Sequence, residues 1–117
     1  MNLIDILDEA ERGPSPDQIA GAPRLDCWWI SAFHGFLRAR GDVSGHPDIS
    51  DPFVTTSPLI GFDAEAGWLR SRSRFYRLGS PLVLPGMTLT DAVPLDEAQG
   101  ILATMRSAIR AEVNLIH

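Results

Sequence analysis

Arg70, Arg72, Arg74 and Arg77 fall within eight residues, and no acid interrupts them. Trp68 and Tyr76 belong to the same stretch. In an extended strand alternate side chains share a face, about 6.6 Å apart. That geometry would line up Trp68, Arg70, Arg72, Arg74 and Tyr76. Guanidiniums bind carboxylate or phosphate through paired hydrogen bonds, and the two rings offer stacking surface. Arg38 and Arg40, on an adjacent strand, would widen the patch. The chemistry is recognition of an acidic or polyanionic partner: first an acidic protein surface, second a nucleic acid. The competing account is a solvated sheet face, with Arg stems covering apolar surface and heads pairing with Asp or Glu nearby.

Signals for bond-making chemistry are weak. Cys27 and His34 can be drawn as nucleophile and base, but no orienting acid or oxyanion motif accompanies them, and a small Cys beside Trp28 reads as packing. Ser57 lacks a nucleophile-elbow pattern. His46, Asp48 and Asp51 offer too few ligands at no zinc spacing. No phosphate loop or dinucleotide turn is present. The chain thus reads as non-enzymatic, with no metal and no cofactor; the last alternative is a small enzyme of unknown reaction, which would need a pocket at His46 or Cys27. Arg40-Gly41-Asp42 spells an adhesion tripeptide that chance readily supplies. Trp28-Trp29 must send one ring to the core and leave the other for the surface, a neighbouring element or a partner.

The elements that would position these groups follow from pattern. Leu3, Ile4, Leu7 and Ala10 recur at helical spacing over residues 3–11, with acids on the other side. Gly13-Pro14 ends that helix. Ser15-Pro16-Asp17-Gln18 reads as a capping box opening a short second one. Residues 28–40 alternate like a strand, with Leu37 and Ala39 opposed to Phe36, Arg38 and Arg40. Gly41-Asp42 and Gly45–Asp48 read as turns. Residues 53–62 and 68–78 read as a hairpin around Asp63–Gly67, with Pro58 requiring an edge or a bulge. Pro94 opens a C-terminal helix whose stripe runs Leu95, Ala98, Leu102, Met105, Ile109, Val113. Leu115 and Ile116 lie past it and would suit a dimer contact. The fold class is α+β: a small antiparallel sheet of three to four strands, centred on hairpin 53–62/68–78, with N-terminal and C-terminal helices packed on it. One domain spans 1–117.

Composition bounds the function. The chain has 117 residues, 44% hydrophobic and 21% charged, with net charge −5. This suits one globular domain with its own core and excludes disorder and collagen. No apolar run approaches the length that spans a bilayer, so no membrane role is expected. A net acidic chain argues against wholesale nucleic-acid binding. All ten basic residues are Arg. Charge is segregated, with five acids against one Arg in residues 1–20. That acidic helix could fold over the Arg face as an internal mimic of a ligand. One cysteine forbids an internal disulfide, and the acidic N-terminus is unlike a signal peptide. A cytoplasmic protein, monomer or homodimer, is the expectation.

Four segments carry a resemblance: Ser44-Gly45-His46-Pro47, Thr56-Ser57-Pro58-Leu59, Gly67-Trp68-Leu69-Arg70, and Ser73-Arg74-Phe75-Tyr76-Arg77-Leu78-Gly79. Over residues 15–80 the chain resembles an uncharacterised family of small bacterial proteins often met near mobile elements. The resemblance implies a bacterial accessory protein and assigns no residue a role.

Overall fold

The computed structural model describes residues 2–33, 35–86 and 89–116. Helix α1 (Leu3–Arg12) begins where the Asn2 side chain accepts from the Asp5 N–H at 2.9 Å, satisfying a donor of the first turn. It stops at Gly13, whose φ of +82° suits glycine. Helix α2 (Pro16–Ala20) starts with the expected capping box, Ser15 and Gln18 each binding the other's backbone N–H. Helix α3 (Leu95–Ile116) follows Pro94. No helix among the described residues is long and apolar enough to cross a membrane.

Between the helices lie six strands rather than three or four: β1 (Arg24–Phe33), β2 (Phe36–Ser44), β3 (Phe53–Thr55), β4 (Leu59–Asp63), β5 (Trp68–Ser71) and β6 (Phe75–Leu78). They form one sheet in the order β3-β2-β1-β6-β5-β4. Neighbours run antiparallel except β1 and β6, which are parallel, so the sheet is mixed rather than antiparallel. The cause is in the connections. The chain reverses at β1/β2, β2/β3, β4/β5 and β5/β6 but only kinks between β3 and β4. After four reversals β6 runs the same way as β1.

Each long run expected as one strand is broken. Residues 28–40 split into the β1–β2 hairpin, with Gly35 at φ +79° beside the turn. Residues 53–62 split at Thr56–Pro58, and their halves join opposite edges of the sheet. Pro58 itself lies in neither strand but in the crossing between these two edges. Residues 68–78 split because Arg72–Arg74 turn: the Ser71 hydroxyl accepts from the backbone N–H of Ser73 and of Arg74, each at 3.2 Å. The hairpin proper is 59–63/68–71, with Gly67 at φ +84° in its loop as expected. Gly41-Asp42 is no turn but lies inside β2.

The sheet is rolled. Five strand spacings laid flat would part its edges by about 24 Å. Yet residues 56–58 alone join them, and the four Cα steps involved reach at most about 15 Å. Thr56 stitches the crossing to β2: its N–H donates to Ala39 O at 2.9 Å, its hydroxyl accepts from Ala39 N–H at 3.1 Å, and its carbonyl accepts from Arg38 Nη1 at 3.1 Å. On the far side the Arg72 N–H donates to Pro58 O at 2.8 Å.

The inside of the roll holds the main core, with Leu25, Trp28, Ile30, Leu69 and Tyr76 against Ala98 and Leu102 of α3. A second cluster joins Ile6, Leu7 and Ala10 of α1 to Ile60 of β4. Met105 touches both, so α3 ties α1 to the roll. Gly61 of β4 lies at this junction, where a Cβ would just touch Ala10 Cβ and Arg106 Nη1, each at 3.4 Å.

Candidate functional site

The seven residues singled out by sequence do not share one face. Three are taken up by packing. Tyr76 is buried inside the roll, and burial raises its phenol pKa. Trp68 is half-buried, edge-on to Phe75 at 5.7 Å. Arg70 is 5% exposed, 5.3 Å from the Phe75 ring centre, and donates to Ser71 O at 2.8 Å. Its other neighbour is the Glu9 carboxylate, 3.7 Å away and also buried. The acidic helix does fold onto the Arg run, with Glu9 meeting Arg70 at a buried point.

Arg72 and Arg74 sit in the turn between β5 and β6. Arg72 is exposed, and Arg74 pairs with Asp48 at 2.8 Å. Arg38 and Arg40 lie on β2, which is separated from β5 by β1 and β6. Arg38 instead reaches the 56–58 crossing, donating to Thr56 O, and the Arg72 N–H donates to Pro58 O of the same segment. The fold thus brings Arg38, Arg72 and Arg74 to that crossing, leaves Arg40 beside Thr55 of β3, and withdraws Trp68, Arg70 and Tyr76.

An Arg and aromatic face does exist, on the outside of β1–β2–β3. Cross-strand partners on a sheet share a face. The register sets Trp29 opposite Arg40, Ser31 opposite Arg38, and Thr55 opposite Arg40. The Arg40 guanidinium lies 5.4 Å from the Trp29 ring and 5.6 Å from the Phe53 ring. Those two rings are 6.0 Å apart. Arg38 stands 5.9 Å from the Phe36 ring. Phe36 is 53% exposed and Phe53 41%. Trp28 is the ring sent inward, donating from Nε1 to Gly79 O at 2.9 Å, and Trp29 is the half-buried one.

Asp91 holds this face together. Its carboxylate accepts from the Ser31 hydroxyl at 2.8 Å, from Arg40 Nη1 at 3.3 Å and from Trp29 Nε1 at 3.5 Å. The Ser31 hydrogen bond, supported by Trp29 and Arg40, keeps its pKa below the usual carboxylate value. Alternation in 28–40 already put Phe36 with Arg38 and Arg40. Phe53 and Asp91 were not legible, because they arrive from other parts of the chain, and Ser31 joins Arg38 only through the β1–β2 register.

The remaining candidates also find places. Cys27 is exposed rather than packed: it forms a bulge in β1 with φ +50°, which turns it outward. His34, its imagined base, is outside the described residues, as is His117. The Arg40-Gly41-Asp42 tripeptide is paired strand with Gly41 buried, not a presented loop. His46 Nδ1 accepts the Asp48 N–H at 3.0 Å.

No curated protein and no solved structure matches the chain. A family model does match, over residues 2–110, and its description is a family of unknown function, DUF6634. That span takes in both core clusters and the whole sheet, in keeping with the resemblance to an uncharacterised family, and the chain belongs to DUF6634.

Proposed function

We propose that the protein is a non-enzymatic interaction module that binds an acidic protein partner through the outer face of β1–β2–β3. The observation that carries this reading is the exposure of Phe36 and Phe53 on either side of Arg38 and Arg40. Exposed aromatics beside arginine are what protein interfaces use as anchors. Arg40 lies against its rings and Asp91, so part of its ordering cost is met before a partner arrives. Arg72, exposed across the 56–58 crossing, extends the positive rim. A bacterial, cytoplasmic accessory role, near mobile elements, fits this reading.

The second reading is single-stranded nucleic acid, favoured by the same two rings, since bases stack on exposed aromatics flanked by Arg. The net charge of −5 weighs against it.

The test is affinity capture from the native host with the full chain, with and without nuclease. A protein partner that survives nuclease, and whose binding drops about tenfold in Phe36→Ala/Phe53→Ala, is the expected result. Capture unchanged in that variant would overturn the assignment of this face. Loss of all capture on nuclease treatment, with affinity falling steeply in salt, would move the assignment to the second reading.

A further inference from the structure

A cleft of about 250 Å³ opens on the other side of the 56–58 crossing, walled by the 46–49 turn and the 72–74 turn. It shares no residue with the aromatic face except Thr55 at its border. Its walls are rich in donors. The Arg74 side chain is 27% exposed. The Ser57 and Ser73 hydroxyls lie 2.9 Å apart, and the Ser73 N–H donates to Ser57 Oγ at 3.3 Å. Since His46 Nδ1 accepts a backbone N–H, its Nε2 carries the hydrogen of the neutral ring. Its imidazole lies 6.0 Å from the Tyr76 ring. Burial first, and then the charge of Arg74, hold His46 toward that neutral form, while Asp48 opposes them.

Among the described lining residues the sole acid is Asp48. Its carboxylate is 72% exposed and reaches Arg74 at 2.8 Å. A solvated pair of this kind is weak, so the carboxylate is a displaceable occupant of the arginine. Several convergent donors, one guanidinium and one tethered anion match a tetrahedral oxyanion.

We propose that this cleft binds the phosphate of a small phosphate monoester, which takes the place of Asp48 on Arg74 and accepts from the Ser57 and Ser73 hydroxyls. No covalent step is involved. The inference stands apart from the partner-binding face and does not depend on it.

The experiment is a ¹H–¹⁵N NMR titration of the full chain with O-phosphoserine, inorganic phosphate, and serine with chloride as control. Saturable shifts at Ser57, Ser73 and Arg74 with phosphoserine, absent with serine and chloride, are expected. Saturation by inorganic phosphate as well would place recognition in the phosphate group itself. Asp48→Asn should tighten binding by up to about fivefold, by freeing Arg74 from a surface pair. Ser57→Ala and Arg74→Gln should each weaken it by about tenfold, and the dispersion of the same spectra shows whether each variant is folded. Absence of saturable shifts in both the wild type and folded Asp48→Asn overturns the proposal. Shifts confined to Phe36, Arg38 and Arg40 overturn it too, while leaving the aromatic face in place.

Discussion

Glu9 and Arg70 are the residues whose charges are taken furthest from water, at 7% and 5% exposure. Removing an ion from water costs several kcal/mol, and a buried partner returns that cost only where geometry is good. Burial accordingly pulls the Arg70 guanidinium below its ordinary pKa, and Glu9 pushes back. Gln18 Nε2 donates to Glu9 Oε1 at 3.0 Å, which ties α2 into the same arrangement. Arg70→Met would strand the Glu9 carboxylate in the interior. The expected loss is about 3–5 kcal/mol, measured by urea unfolding. Glu9→Leu/Arg70→Met should lose far less than the two single changes added together, because no charge is left behind. A loss below about 1 kcal/mol for Arg70→Met would mean that water reaches the pair. Sequence alone put Arg70 on an open binding face. Nothing in its local spacing shows that an acid about sixty positions earlier will cover it.

At the scale of elements, the decisive features are interruptions. The bulge at Cys27 shifts the β1–β2 register between Asp26 and Trp29. It sends Trp28 inward and leaves Trp29 under Arg40. Gly41 on β2 makes room for it: a Cβ there would come within 2.9 Å of Asp26 O and 3.0 Å of Trp28 Cα. Those are backbone and near-backbone atoms with little freedom to retreat. Gly41→Ala should therefore destabilise by about 1–3 kcal/mol. It should also perturb the Trp29 indole signal, read by thermal unfolding and by indole N–H shifts. A variant of wild-type stability would show that the bulge is softer than its contacts imply. The helices were legible because their signals are local: the Ser15–Gln18 box, the stops at Gly13 and Pro14, and the α3 stripe. The strand breaks at 56–58 and 72–74 were not. Pro58 hinted at the first. The second hangs on the Ser71 hydroxyl, whose turn-forming role is indistinguishable in sequence from that of a serine on a strand.

For the molecule as a whole, α1 is part of the fold rather than a detachable arm. Ile6, Leu7 and Ala10 fill the cluster over Ile60, Glu9 meets Arg70, and a Cβ at Gly13 would lie 3.4 Å from the Trp68 indole. Its outer acids Asp8 and Glu11 pair with Arg110 of α3 at 2.7 and 3.1 Å. Deleting residues 1–13 removes two large buried side chains worth about 1.5–3 kcal/mol each. It also exposes a buried charge, in a domain whose total stability is on the order of 5–15 kcal/mol. The truncated chain is expected to lose cooperative thermal unfolding, followed by circular dichroism. A stable truncated domain would instead revive the acidic helix as a removable mimic of a ligand. By itself the sequence determined the α+β class, the helix starts, the turns at Gly13 and Gly67, and the grouping of Phe36 with Arg38 and Arg40 on one side of what becomes an Arg and aromatic surface. Those depend on propensity, capping and periodicity within a few residues. Which arginines make that surface was decided by the tertiary structure. Rolling the sheet encloses Tyr76, α1 covers Arg70, and the pairing of β3 with β2 and of residues 91–92 with β1 brings Phe53 and Asp91 to Trp29 and Arg40. Such pairings depend on contacts between residues far apart in the chain, and no local pattern encodes them.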